Sequence, residues 1–91
     1  MAVVVKIPTQ LRAAAEGASQ TEVEGDTVQE VLDGLFDRYG ELRARIADDD
    51  GSLRRFVNVY LAGEDIRFLD GVDTAVSDGA EITILPAVAG G

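Results

Sequence analysis

Thr27-Val28-Gln29-Glu30-Val31-Leu32-Asp33-Gly34-Leu35-Phe36-Asp37-Arg38-Tyr39-Gly40 is the stretch from which the rest of the chain can be read. Thr27 and Glu30 form a capping box: the hydroxyl accepts from the backbone of residue 30, and the glutamate reaches back to the preceding turn. Val28, Val31, Leu32, Leu35, Phe36 and Tyr39 then recur at the spacing that puts them on one face of a helix. Gly40 is placed to end that helix in the left-handed conformation. Gly34, inside it, costs about 1 kcal/mol relative to alanine, which implies a close approach to whatever the helix covers.

The flanking sequence supplies strands for it to cover. Upstream, Val3-Val4-Val5-Lys6-Ile7 is β-branched and extended until Pro8 ends it. Thr9 to Gly17 reads as a connection with Leu11 packed inward, and Ser19 to Glu24 as a second strand at a sheet edge. Downstream, Glu41 to Ala47 reads as a short second helix, and Asp48-Asp49-Asp50-Gly51-Ser52 as a polar loop. Phe56 to Leu61 alternates as a strand, Gly63-Glu64-Asp65 turns the chain, and Ile66-Arg67-Phe68 reads as a short strand. Asp78-Gly79 is a turn signal before the last strand, Glu81 to Leu85, which Pro86 ends.

The order is ββαβββ, an α+β fold with a mixed sheet of roughly four to five strands packed on one main helix. The expected inward set is Val3, Val5, Ile7, Val28, Leu32, Leu35, Phe36, Val57, Val59, Leu61, Ile82 and Ile84. Residues 1–86 form the domain and 87–91 a flexible C-terminal tail.

Composition narrows the function. The chain has 91 residues, room for one core but not for an enclosed substrate pocket as well. A carrier, binding module or subunit fits better than a complete enzyme. The start shows no basic region followed by an apolar stretch, and the apolar runs are too short to span a bilayer, so the expected location is cytoplasmic. The net charge of −9 repels phosphate backbones and anionic lipids. It favours a partner with a basic face, and it also serves simply to keep a small domain soluble.

There is no cysteine and no histidine. That removes a thiolate nucleophile, a cysteine-based metal site and the commonest general base. Ser19, Ser52 and Ser77 have no partner of the kind that activates a serine. Asp48-Asp49-Asp50-Gly51 fails as a calcium loop, because Ile46 and Val57 occupy its first and last ligand positions. No metal is expected.

What remains is the end of the chain, Ala87-Val88-Ala89-Gly90-Gly91. Two successive glycines are thin and flexible, suited to threading a narrow channel in another protein. There the terminal carboxylate can be activated as an acyl-adenylate and attacked by a sulfur nucleophile. A Gly-Gly end taken alone fits a frayed terminus equally well. It gains weight because a strand and Pro86 lead directly into it, giving the tail a fixed point of departure.

The element order, the strand Glu81 to Leu85 and the terminal Gly90-Gly91 resemble the ubiquitin-like ThiS/MoaD sulfur carrier family. Phe56-Val57-Asn58-Val59-Tyr60, Glu64-Asp65-Ile66-Arg67-Phe68 and the run from Thr83 to Gly91 are most similar to its actinobacterial cysteine-forming branch. The resemblance implies a β-grasp fold and a carrier rather than an enzyme. It implies that an E1-like adenylyltransferase and sulfurtransferase adenylates the Gly91 carboxylate and converts it to a thiocarboxylate, with Gly90 beside it. It implies acceptors such as a pyridoxal phosphate-dependent cysteine synthase or a thiosugar synthase, and a metal-dependent peptidase that releases the product. ATP, pyridoxal phosphate and zinc then belong to those partners, and this chain binds no cofactor. The small subunit of molybdopterin synthase, a protein modifier conjugated through Gly91, and a plain β-grasp interaction domain are the alternatives.

Strand alternation puts Val4, Lys6, Asn58, Tyr60, Thr83 and Leu85 on the sheet face opposite the helix. Tyr60 and Leu85 are the candidate docking residues there, continued by Ala87, Val88 and Ala89 of the tail. Tyr60 fits nearly as well as a residue that merely packs on a neighbouring strand. The chain is expected to be a monomer when alone.

Overall fold

The computed structural model describes residues 2–49, 53–54 and 57–86. Five strands form one sheet: β1 (Ala2–Lys6), β2 (Gln20–Glu24), β3 (Val57–Leu61), β4 (Glu64–Asp65) and β5 (Glu81–Pro86). Their order across the sheet is β2-β1-β5-β3-β4. The two central strands, β1 and β5, run parallel, and every other pair is antiparallel. Helices α1 (Val28–Arg38) and α2 (Gly40–Ile46) link β2 to β3. This is the ubiquitin-like β-grasp arrangement.

The helix start is built as the capping box requires, with one difference. Thr27 Oγ1 accepts from the Glu30 backbone at 3.2 Å, but Glu30 Oε1 accepts from the Asp26 N–H at 2.9 Å rather than from that of Thr27. Around this point Val28 N–H donates to the Thr74 carbonyl and Val76 N–H to that of Asp26. The helix N-terminus is thereby tied to the segment that leads into β5.

Gly40 does not end α1 in a left-handed conformation; it is the first residue of α2. Tyr39 ends α1 instead, with φ −128° and ψ 86°, and its N–H closes the last turn on the Leu35 carbonyl. The chain re-enters a helix at once because α2 has its own buried stripe, Leu42 and Ile46.

Val3, Val5, Ile7, Val28, Leu32, Leu35, Val57, Val59, Ile82 and Ile84 are buried as the alternation and helical spacing predict. Phe36 and Leu61 are only partly buried against this core. Phe36 sits on the flank of the α1 stripe, over the cleft shared with Arg43 and Ala47 of the second helix region. Leu61 is the last residue of β3, at the hairpin into β4, where fewer neighbours can cover it. The segment after Pro8 is more than a connection: Thr9–Ala15 is a 3₁₀ helix whose Leu11, Ala14 and Ala15 are buried. Val23, Val31, Leu42, Ile46, Ile66 and Val76 complete the apolar interior.

Gly34 is where the helix touches the sheet. A Cβ built there meets Val23 Cγ1 at 2.7 Å, below any ordinary contact. Gly34→Ala gains helix propensity of about 1 kcal/mol, but the β-branched valine cannot swing away. Overpacking of this kind costs about 1–3 kcal/mol. The expected outcome is a net loss of stability in urea denaturation, relieved in the double variant with Val23→Ala.

Ile66-Arg67-Phe68 is a 3₁₀ turn rather than a strand. The β3–β4 hairpin closes through Ala62 and Gly63, at φ 52° and 86°, and β4 is only the pair Glu64–Asp65. Asp65 then caps the turn, its carboxylate accepting from the Arg67 N–H at 2.9 Å. That bond bends the chain out of the sheet.

Candidate functional site

The site begins where β5 ends. Pro86 opposes Val57, Leu85 opposes Asn58 and Thr83 opposes Tyr60 across the antiparallel β5–β3 pair. On its other side, Thr83 opposes Lys6 of β1. The last described residue of β5 is thus held at the sheet, beside the first residue of β3. Gly90, Gly91, Ala87, Val88 and Ala89, the residues read as reactive end and partner contacts, lie outside the described residues, as do Phe56 and the Asp50-Gly51-Ser52 part of the polar loop.

The open sheet face carries the residues that alternation assigns to it. Leu85 is 44% exposed, Lys6 is exposed, and Val4, Asn58, Tyr60 and Thr83 are half-buried. Lys6 Nζ lies 3.7 Å from Glu81. The face is uneven in charge. Glu22 and Glu24 oppose Val4 and Ala2 along the β2 edge, whereas the β3–β4 side holds Tyr60, Leu85 and a guanidinium.

That guanidinium belongs to Arg67, which the sequence reading did not single out because it placed the residue in a strand. Arg67 Nε and Nη2 donate to Asp65 Oδ1 and Oδ2 at 3.2 and 2.9 Å. Nη2 also donates to Asn58 Oδ1. The Asp65 hydrogen bond raises the Arg67 pKa above its ordinary value, and the bonds from Arg67 hold Asp65 below the usual carboxylate range. Both groups are therefore charged at neutral pH. The clamp's contribution disappears only in acid, as the pH falls from the ordinary carboxylate value through the lowered one. The readable signal was an aspartate after a hairpin turn with arginine two residues later, a pattern that favours a side-chain-capped turn.

Next to Arg67, Phe68 is 81% exposed, the most solvent-facing large apolar side chain described. Arg67 and Asp65 also form part of the wall of a groove of about 270 Å³ that runs between Leu53, Val57, Val59, Ile66 and Val72. It is open and smaller than the pockets that engulf small molecules. Among the described residues, no group of three or more carboxylates is placed to hold a metal ion. No helix there is long and apolar enough to cross a membrane. Among the described residues, this geometry offers a strand end at Pro86 and an open sheet face beside it.

Residues 5–91 match the model of the ThiS family. The chain belongs to the ThiS family. Proteins of this family are small carriers rather than catalysts, and this ThiS-family chain is a carrier of that kind. It is 45% identical to the sulfur carrier protein CysO of Mycobacterium tuberculosis in an alignment covering 100% of both chains. In the crystal structure of the Amycolatopsis orientalis BexX/CysO complex, a chain of 45% identity superposes with a TM-score of 0.89, covering 98% of this chain and 99% of that one. The small archaeal modifier protein 3 of Haloferax volcanii is 40% identical over 65 residues, 71% of this chain and 70% of that protein.

Proposed function

We propose that this protein carries sulfur on the carboxylate of Gly91. The supporting observation is the family match, which continues through the glycine pair to residue 91, on a fold that pins Pro86 at the sheet. In the proposed cycle, a Gly91 carboxylate oxygen attacks the α-phosphorus of ATP in an E1-like enzyme, and pyrophosphate leaves. A sulfide supplied by that enzyme then attacks the acyl carbon and displaces AMP, leaving a thiocarboxylate. The absence of cysteine from the chain suits this division of labour. The sulfur acceptor is a cysteine synthase or a related thiosugar-forming enzyme, and a metal-dependent peptidase releases a cysteinyl product. ATP, pyridoxal phosphate and zinc stay with those partners. The setting is the cytoplasm, and the carrier is monomeric between encounters.

Docking uses the open sheet face, with Tyr60 and Leu85 as apolar contacts and Ala87-Val88-Ala89-Gly90 as the thread into the partner. The BexX/CysO complex supports an encounter with a second protein as the working state of such a carrier. Intact mass spectrometry after incubation with ATP, the cognate activating enzyme and sulfide is expected to show a gain of about 16 Da, oxygen replaced by sulfur, as acyl activation followed by sulfur attack requires. An unchanged mass with an enzyme active on its own substrate would overturn the reading.

A second reading, a modifier conjugated through Gly91 to lysines, is favoured by the similarity to a small archaeal modifier protein. High-mass adducts that vanish when Gly91 is removed would select it over the carrier. Restoration of molybdopterin synthesis alone would instead select the role of a molybdopterin synthase subunit.

A further inference from the structure

We propose that Arg67 is a docking residue for the activating enzyme, offering its two Nη1 hydrogens to a carbonyl oxygen of that enzyme while it grips the tail. The inference rests on the carrier reading above and adds a specificity-determining residue to it.

A guanidinium has five N–H donors in a rigid plane. In Arg67, Nε and Nη2 are committed to Asp65 and Asn58. Nη1 makes no hydrogen bond among the described residues, so one edge of the fixed plane is left over by them. The exposure is lopsided in the same sense. The Asp65 side chain is 12% exposed and that of Arg67 61%, so the pair turns donors, not acceptors, toward solvent. An ion pair this open contributes little to stability. Its more consequential product is a guanidinium ordered before any partner arrives, which lowers the entropy lost on binding.

The position matches the tail. Asn58, which Arg67 grips, opposes Leu85, and Pro86 follows. The five residues from Ala87 to Gly91 reach at most about 17 Å when extended. A protein that holds Gly91 in its active site therefore stands over this end of the sheet. Asp65 already cancels the charge of Arg67, so a neutral oxygen suits the clamp better than a second carboxylate.

ATP–pyrophosphate exchange by the cognate activating enzyme, measured against the concentration of the full chain, tests this. Arg67→Ala is expected to raise the apparent KM for the carrier about tenfold, the scale of one hydrogen bond to a charged group, with kcat within about twofold. Arg67→Lys is expected not to rescue, because an ammonium cannot be held flat by Asp65 and Asn58. Asp65→Asn is expected to give an intermediate KM. An unchanged KM in Arg67→Ala overturns the proposal, as does full rescue by lysine, which would leave only a charge effect. A matching fall of the thermal midpoint in Arg67→Ala and Arg67→Gln also overturns it, by making the role structural. No exchange with the unaltered chain would reject the carrier reading itself, whereas normal exchange indifferent to Arg67 rejects the docking role alone.

Discussion

A chain shortened by Gly91 alone is expected to gain no sulfur, while its thermal midpoint stays within about 2 °C of the full chain. The first half follows from geometry. Removing one residue withdraws the carboxylate by about 3.5 Å, and a misplacement of about 1 Å at a reacting centre can already cost roughly a hundredfold in rate. The Gly90 carboxylate would reach the mouth of the activating site but not its reacting position. The second half follows from where the core lies. The described core, from Val3 to Ile84, packs as one cluster among its own residues, and a terminal residue that has to enter a partner's active site is expected to add nothing to it. Since 1 kcal/mol shifts the midpoint of a domain this size by about 4–8 °C, a larger fall would show that the tail packs on the domain. Intact mass after the activation reaction and a thermal melt on the same two proteins settle both halves.

Ile82→Ala is expected to do the reverse, damaging the fold at a residue that meets no partner. Ile82 is 0% exposed on the central strand β5, opposing Val5 of β1 on one side and Leu61 of β3 on the other. Emptying such a site costs about 2–5 kcal/mol, a large share of the roughly 5–15 kcal/mol that holds a domain together. Urea denaturation is expected to show a lower midpoint with an unchanged slope. The same truncation at Leu85, three residues on and 44% exposed, is expected to cost less than about 1 kcal/mol. A loss at Ile82 no greater than at Leu85 would contradict the burial pattern of β5. Because β5 fills the core and ends at Pro86, instability at Ile82 is also expected to lower the sulfur gain in the activation reaction.

Much of this was legible beforehand. The capping residues and apolar spacing from Thr27 to Tyr39 specify a helix by local chemistry, and the β-branched run at Val3 and the alternation from Glu81 specify strands in the same way. Family membership was legible in the run from Thr83 to Gly91. Short segments were read less well. Ile66-Arg67-Phe68 alternates like a strand, yet three residues are too few to distinguish that from a 3₁₀ turn, and one hydrogen bond from Arg67 to Asp65 decides it. The Thr9–Ala15 helix was hidden because its buried side, Ala14 and Ala15 beside Leu11, carries little hydrophobic contrast.

The sequence by itself determined the glycine pair, the absence of cysteine and histidine, and the proline that follows the alternating run from Glu81, because these are matters of composition and order. Only the tertiary structure decided what surrounds the end of that strand. It set the parallel pairing that buries β5 in the middle of the sheet, the contact of Gly34 with Val23, and the placing of Arg67 against Asn58 beside Leu85. Each joins residues distant in sequence or displaced by a turn, and local propensity carries no information about which side chains a turn brings together.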